Sequence, residues 1–143
     1  MDRIKNILFN RELIAYIIIG VLTTLVNLIV FAAVNEYAKS LGFSVSFASK
    51  AAYVLAFIAA VLFAYWTNKL IVFRSFRMKP SYLLKEFGGF VSARIISGVI
   101  TFILMAVCVD LIKMNEYLAW LLTSIFNVVF NYVAGKFYIF KNE

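Results

Sequence analysis

The sequence predicts an all-α membrane protein with four transmembrane helices, arranged as two repeated hairpins with short interfacial segments after helices 2 and 4. Three observations lead to this prediction: a very high apolar content, four long apolar runs, and a motif that occurs twice. Of the 143 residues, 64% are hydrophobic and 15% are charged, and the mean hydropathy is +0.94. A water-soluble globule of this size cannot bury so much hydrocarbon, so an integral membrane protein is expected.

Four stretches are long enough to cross a membrane as helices. Crossing a hydrocarbon core of roughly 30 Å takes about 20 helical residues, and a helix satisfies its own backbone groups where no water is present. The stretches are Leu13–Val34, Phe47–Asn68, Phe87–Val109 and Tyr117–Ala134. We interpret the first as a retained span, because it is longer than the apolar region of a signal peptide and no small-residue cleavage site follows it.

The ends of the second and fourth runs repeat one another. Residues 63–75, FAYWTNKLIVFRS, recur 67 positions later as FNYVAGKFYIFKN at 130–142. We therefore predict a single membrane domain over 1–143, built from repeats at about 12–75 and 86–142. Both repeats would enter the membrane from the same side, which relates them by an axis along the membrane normal.

Basic residues are concentrated in three parts of the chain. They are Arg3, Lys5 and Arg11 at the start, Lys69, Arg74, Arg77, Lys79 and Lys85 between the second and third runs, and Lys136 and Lys141 at the end. The positive-inside rule predicts that both termini and the central loop are cytoplasmic. We interpret the net charge of +7 as topology and contact with anionic lipids, and not as nucleic-acid binding.

The composition does not favour an enzyme. Histidine is absent and Cys108 is the only cysteine, so the commonest general base and metal ligand are missing. Asp110 and Glu116 lie at the ends of runs and cannot supply the paired carboxylates of glycosyl hydrolysis. We expect no catalytic residue, no metal and no cofactor. A proton-coupled exporter, which needs a carboxylate inside a span, is also disfavoured.

Polar side chains inside the runs recur at helical spacing. The candidates for a polar path through the membrane are Thr23, Asn27, Asn68, Ser97, Thr101, Asn127 and Asn131. Small and polar residues also pack membrane helices together, with about 0.6 kcal/mol for an average interhelical hydrogen bond. Helix packing is therefore the alternative explanation for each of these residues.

Four basic residues are candidates for binding an anionic lipid headgroup. Arg94 lies inside the third run, where an arginine costs roughly 2.5–3.5 kcal/mol on insertion scales, and no carboxylate lies in the interior of any run. Lys69 and Lys136 end the second and fourth runs at equivalent positions, and Lys50 begins the second run. Cationic side chains at such places bind phosphate; the alternatives are snorkelling toward the headgroups and simple anchoring at the membrane surface.

Four short motifs are distributed along nearly the whole chain. They are Gly20 with Thr23 and Asn27, Asn68-Lys69-x-x-Val72-Phe73, Ala93-Arg94 with Ser97, and Asn127-x-x-x-Asn131 leading to Lys136-Phe137-Tyr138-Ile139-Phe140. Together with four spans in two hairpins, these motifs resemble the GtrA family. That resemblance implies a multi-pass protein of the bacterial inner (cytoplasmic) membrane, with cytoplasmic N- and C-termini, that acts in cell-surface polysaccharide and teichoic-acid glycosylation.

The resemblance also implies a function and its partners. Members of the family are proposed to move polyprenyl-phosphate-linked sugars from the cytoplasmic to the outer leaflet, beside a membrane glycosyltransferase. We expect Arg94, Lys69, Lys136 and Lys50 to bind the lipid phosphate and the polar-path residues to bind the sugar. The expected partners are a polyprenyl-phosphate sugar, a membrane glycosyltransferase and the lipid bilayer, with no nucleic acid. A homodimer is a further candidate assembly, because four helices alone would enclose a sugar only thinly.

Two alternatives remain at this point. The chain could be a scaffold that recruits or stabilises the glycosyltransferase and transports nothing. It could also differ from the typical family member in its sugar, because the family often has Asn where this chain has Thr23, an acidic residue near Asn27 or Thr101, and a second Asn where Gly135 stands.

Overall fold

The structure, a computed structural model, describes residues 2–140 as four long α-helices with short π-helical turns. The α-helices are α1 (Asp2–Ser40), α2 (Val45–Thr67), α3 (Pro80–Ala106) and α4 (Glu116–Ala134). The π-helical turns continue α2, α3 and α4 at Asn68–Val72, Val107–Leu111 and Gly135–Ile139. All four helices are long and apolar enough to cross a membrane. The predicted all-α membrane class is therefore confirmed, and the chain is a multi-pass membrane protein.

The helices extend beyond the apolar runs from which they were predicted. α1 begins at Asp2 and α3 begins at Pro80, because helical hydrogen bonding continues through polar residues that hydropathy leaves out. Proline is favourable in the first turn of α3, where its missing N–H costs no intrahelical bond. The irregular linker between α2 and α3 is consequently limited to residues 73–79. Lys69 and Lys85, which the sequence analysis assigned to the central loop, are helical.

The chain divides into two compact units between Val72 and Phe73. The first unit contains α1, α2 and the π-helical turn that follows α2. The second unit contains α3, α4 and the π-helical turns that follow them. Within the first unit α1 contacts α2, and within the second unit α3 contacts α4.

Alanines at four-residue spacing form the packing face of α2. Ala48, Ala52, Ala56, Ala60 and Ala64 are all buried, with 7% exposure at most. Residues four apart lie on one face of a helix, and small side chains let a neighbouring helix approach closely. That neighbour is α1, so the first unit is held together by close packing of small side chains.

The turn between α1 and α2 is closed by a glycine-dependent cap. Gly42 adopts φ +90; its N–H donates to the carbonyl of Lys39 at 3.0 Å, and the N–H of Phe43 donates to the carbonyl of Ala38 at 3.2 Å. This is the Schellman pattern that ends many helices. Ser44 then caps α2, because its hydroxyl oxygen accepts the backbone N–H three residues later at 3.2 Å.

The turn between α3 and α4 uses different residues for the same purpose. Lys113 takes the left-handed conformation with φ +59, the role that Gly42 has in the first unit. Asn115 caps α4, since its side-chain oxygen accepts the N–H of Tyr117 at 2.9 Å. Both units are therefore helical hairpins with short capped turns.

Two of the π-helical turns are separated by the same interval as the repeated motif. Asn68–Val72 and Gly135–Ile139 lie 67 positions apart. The residues that follow them, Phe73 and Phe140, are both buried, with 5% and 2% exposure. These features support the predicted repeat, which stays a prediction.

Candidate functional site

A cluster of polar side chains joins α3 to α4 inside the apolar part of the second unit. The side-chain amide nitrogen of Asn131 donates to the hydroxyl oxygen of Ser97 at 2.9 Å. It also donates to the backbone carbonyl of Asn127 at 2.9 Å and lies within hydrogen-bond distance of the Asn127 side-chain oxygen. We call Ser97, Asn127 and Asn131 the polar cluster. Ser97 is 1% exposed, and the two asparagines are partly buried.

The sequence places the polar cluster by helical spacing. Asn127 and Asn131 are four residues apart on α4, so they share one helix face, and Ser97 lies on α3, which contacts α4. An amide in apolar surroundings needs hydrogen-bond partners, and Asn131 finds them on both helices. Asn127 uses only its oxygens as acceptors in this cluster, which leaves its amide N–H donors for a further partner.

Two of the predicted threonines bond back to their own helices. The hydroxyl of Thr101 donates to the carbonyl of Ser97, and the hydroxyl of Thr23 donates to the carbonyl of Ile19 at 2.7 Å. Such bonds satisfy the hydroxyl hydrogen within the helix and leave the oxygen as an acceptor. Thr101 lies one helical turn from the polar cluster, whereas Thr23 belongs to the first unit.

The two remaining polar-path residues lie in the first unit. Asn68 is 1% exposed, and its amide nitrogen donates to the carbonyl of Ala64 at 2.7 Å. Its side-chain oxygen has no hydrogen-bond partner among residues 2–140, a state that costs about 1–3 kcal/mol for a buried acceptor. Asn27 is half-buried on α1. The structure therefore gathers Ser97, Thr101, Asn127 and Asn131 within the second unit and places three polar-path residues in the first.

The predicted phosphate-binding lysines of the first unit lie at opposite ends of α2. Lys69 is 0% exposed, in the π-helical turn that follows α2, whereas Lys50 is exposed near the start of the helix. Nineteen residues separate them, about 28 Å at 1.5 Å per residue. They cannot hold one phosphate at the same time. The alternative of simple anchoring at the membrane surface does not fit Lys69, because its side chain is enclosed by protein.

The other two predicted cations contact aromatic rings in the second unit. The guanidinium carbon of Arg94 lies 4.9 Å from the centroid of the Phe90 ring. The ammonium nitrogen of Lys136 lies 5.8 Å from the Tyr132 centroid and 5.9 Å from the Phe137 centroid. Both cations are partly buried. Cation–π contacts of this kind stabilise a positive charge in apolar surroundings.

An open groove with a volume of about 610 Å³ lies along α3 and α4 in the second unit. Its lining has two parts, which we call the charged mouth and the apolar floor. The charged mouth consists of Arg77, Tyr82, Lys85, Glu86 and Tyr138. The apolar floor consists of small and apolar residues, with one serine: Gly89, Ser92, Ala93, Ile96, Phe130, Ala134 and Ile139.

Several buried residues of the second unit were not among the candidate site residues of the sequence analysis. Glu86 is 6% exposed and accepts a hydrogen bond from the hydroxyl of Ser75 at 3.2 Å, which ties the linker to α3. Phe73 stacks on Phe140, with 5.5 Å between ring centroids. The equivalence of Phe73 and Phe140 in the repeated motif was the available signal for their shared burial. No comparable signal marked the contact between Glu86 and Ser75, because it depends on the path of the linker.

Comparisons with known proteins relate this chain to a family. An uncharacterized membrane protein of Bacillus subtilis (strain 168), YwcD, is 43% identical over 126 residues, which cover 88% of this chain and 94% of that protein. The cell wall teichoic acid glycosylation protein GtcA of Listeria innocua serovar 6a is 29% identical over 131 residues, 92% of this chain and 86% of that protein. GtcA of Listeria monocytogenes is 31% identical over the same shares. No solved structure matches.

The family comparison covers both units. A family model described as the GtrA/DPMS transmembrane domain matches residues 15–140. That range includes the polar cluster, the whole groove and all four predicted phosphate-binding residues. The chain therefore belongs to the GtrA/DPMS transmembrane-domain family.

Proposed function

We propose that this chain moves a polyprenyl-phosphate-linked sugar from the cytoplasmic to the outer leaflet of the bacterial inner membrane. The transport would serve glycosylation of teichoic acid or another cell-surface polysaccharide. Family membership and the relatives named for cell wall teichoic acid glycosylation support the process. The observation that carries the transport step is the polar cluster, which places amide and hydroxyl groups inside two helices long and apolar enough to cross a membrane.

A transporter of this kind must lower the cost of taking hydroxyl groups through hydrocarbon. Each hydroxyl that loses water without a new hydrogen bond costs roughly 2–7 kcal/mol, and a sugar carries several. Asn127 has amide donors that the polar cluster does not use, and Thr101 keeps its hydroxyl oxygen as an acceptor. These groups replace part of the lost water as the sugar passes, while the polyprenyl chain stays in lipid.

The phosphate would be bound by cations at each stage. Lys69, Lys136 and Arg94 are assigned to the cytoplasmic side, where the positive-inside rule places the ends of the second and fourth spans. Lys50 is assigned to the outer side, because it lies at the other end of α2 from Lys69. No covalent step is required, so we assign no catalytic residue and propose that the protein is not an enzyme.

Transport by the purified protein tests the proposal. The full chain is reconstituted in vesicles with a fluorescent polyprenyl-phosphate sugar, and a membrane-impermeant quencher measures how fast the label changes leaflet. Wild-type protein should equilibrate the label, and empty vesicles should not. Removal of a hydrogen-bonding group in Asn127→Ala or Asn131→Ala should slow transport about tenfold, the effect of about 1.4 kcal/mol on a barrier.

Matched variants decide between transport and packing. Asn35→Ala makes the same change near the end of α1, away from the polar cluster, and should transport at the wild-type rate. If Arg94→Ala and the double variant Lys69→Ala/Lys136→Ala also transport at the wild-type rate, the phosphate assignment is wrong. If the wild-type chain moves no label but binds a membrane glycosyltransferase, the transport proposal fails and the scaffold alternative holds.

A further inference from the structure

We propose that the groove of the second unit binds the phosphate and the first isoprene units of a polyprenyl phosphate, as an entry site separate from the polar cluster. The identity of this lipid rests on the proposed function. None of the four predicted phosphate-binding residues is among those that line the groove. The groove therefore supplies a binding site that the sequence analysis did not assign.

Two cations lie at one end of this groove. Arg77 precedes α3 in the linker, and its guanidinium carbon lies 5.2 Å from the centroid of the Tyr82 ring. Stacking of this kind holds the guanidinium plane in place. Lys85, one turn further along α3, is exposed. A positioned guanidinium beside a flexible ammonium group is well suited to a phosphate.

The single carboxylate in the charged mouth, that of Glu86, is largely buried and hydrogen-bonded. Glu86 is 6% exposed, and a side-chain oxygen accepts a hydrogen bond from Ser75 at 3.2 Å. The open part of the mouth therefore carries the positive charges of Arg77 and Lys85 beside the exposed rings of Tyr82 and Tyr138. This charge balance favours an anionic headgroup over a cationic or neutral one.

The apolar floor fits one hydrocarbon chain. Gly89 and Ala93, one turn apart on α3, provide little side-chain bulk, and Ile96 and Phe130 line the groove beyond them. A Cβ atom at Gly89 would lie in van der Waals contact with Cγ1 of Ile139, at 3.5 Å, so a larger side chain there would take up space in the groove. A volume of about 610 Å³ is ordinary for a small-molecule site and holds a headgroup with part of one chain.

Along α3, the charged mouth and the apolar floor follow one another as the headgroup and the hydrocarbon chain do in a membrane lipid. From Tyr82 to Ile96, α3 rises about 21 Å at 1.5 Å per residue, somewhat more than half of a hydrocarbon core of roughly 30 Å. The charged mouth lies at the linker end of α3, which the positive-inside rule places at the cytoplasmic surface. A polyprenyl phosphate of that leaflet would bind with its phosphate at the mouth and its chain toward the membrane centre.

The test measures binding of a polyprenyl monophosphate that carries no sugar, so it does not require transport. The full chain in detergent micelles is titrated with this lipid, and bound lipid is quantified by native mass spectrometry. Loss of two charged contacts in Arg77→Gln/Lys85→Gln should raise the Kd about tenfold or more. Arg3→Gln/Lys5→Gln removes the same charge from α1 and should leave the Kd unchanged.

A second pair of variants tests the chain-binding part. Gly89→Leu fills the apolar floor, whereas Gly88→Leu places the same side chain at the preceding position of α3, where a Cβ atom meets nothing within 4 Å. Gly89→Leu should weaken binding about tenfold, a change of about 1.4 kcal/mol, and Gly88→Leu should bind like the wild type. Thermal unfolding of each variant shows that loss of binding is not loss of fold.

The outcomes separate this inference from the proposed function. Equal affinities within either pair of variants overturn the groove assignment, even if the wild-type protein transports. If phosphatidylglycerol binds with a Kd as low as that of the polyprenyl phosphate, the assignment to a single-chain lipid is overturned. If the wild type moves no lipid-linked sugar but the paired variants differ as expected, the groove assignment holds and the transport proposal fails.

Discussion

Gly135 shows how the absence of one side chain shapes the second unit. A Cβ atom at this position would lie 2.7 Å from Cε2 and 2.9 Å from Cζ of Phe73. The Phe73 ring is itself confined, because it stacks on Phe140 at 5.5 Å and lies 5.8 Å from the Tyr132 centroid. The family pattern often has Asn at position 135, as this chain has at the equivalent Asn68. Here glycine is required by the ring that occupies the space.

We therefore expect Gly135→Ala to destabilise the protein. Overpacking typically costs about 1–3 kcal/mol, which exceeds the gain of roughly 0.8–1.0 kcal/mol from replacing glycine by alanine in a helix. The midpoint of thermal unfolding in detergent should fall. Gly98→Ala is the matched control on α3, because a Cβ atom there meets nothing within 4 Å, and its midpoint should stay equal or rise.

Replacing the Phe73 ring by a smaller side chain should reduce the destabilisation caused by Gly135→Ala. In a Phe73→Leu background, Gly135→Ala should lower the unfolding midpoint by less than it does in the wild type, because the clash is with the ring itself. An equal loss in both backgrounds would contradict the steric explanation and point to the backbone of the π-helical turn.

Individual site residues were predictable to the extent that helical spacing alone positions them. Asn127 and Asn131 were selected because they share a helix face; Asn131 bonds to Ser97 on α3, and Asn127 bonds to Asn131. The burial of Lys69 was not predictable in this way, since hydropathy treats a lysine at the end of a run as a surface residue. Glu86 directly precedes the third apolar run, and its burial becomes evident only once the linker is traced.

At the scale of the elements, the π-helical turns limit how far α-helical spacing can be used to assign faces at the helix ends. Such turns are closed by backbone bonds between residues five apart, as from the N–H of Phe140 to the carbonyl of Gly135 at 2.9 Å and from that of Ile112 to Val107 at 3.1 Å. A π-helical turn changes the angle between successive side chains. A helical wheel drawn with 3.6 residues per turn is therefore less accurate for the residues within and after each π-helical turn.

The α2 helix offers a test of close packing as the basis of the first unit. Ala56 is 1% exposed at the centre of the alanine face, so Ala56→Leu should separate α2 from α1 and destabilise the unit by about 1–3 kcal/mol. Ala59→Leu, at a half-buried position one turn away, is the control and should have a smaller effect. Equal unfolding midpoints for the two variants would show that the alanine face does not determine the packing.

The whole molecule presents a large exposed apolar surface. Large apolar side chains on different helices are exposed, among them Ile29 at 65%, Phe102 at 76% and Trp120 at 62%. Exposed apolar surface of this extent marks contact with a membrane or a partner. The class of the protein was predictable because it depends on summed composition and run length. The groove was not, because it depends on which faces of α3 and α4 come together.

The orientation in the membrane gives a prediction for the chain as a whole. The basic linker between α2 and α3 is expected on the cytoplasmic side, and the turns within each hairpin on the outer side. With Cys108 replaced by serine, single cysteines are introduced at exposed sites in Leu41→Cys, Ile112→Cys and Met78→Cys. A membrane-impermeant maleimide added to intact cells should label the first two, and should label the third only after the membrane is permeabilised. Labelling of the cysteine at position 78 in intact cells would show that the orientation is the opposite of the predicted one. The groove would then be entered from the outer leaflet.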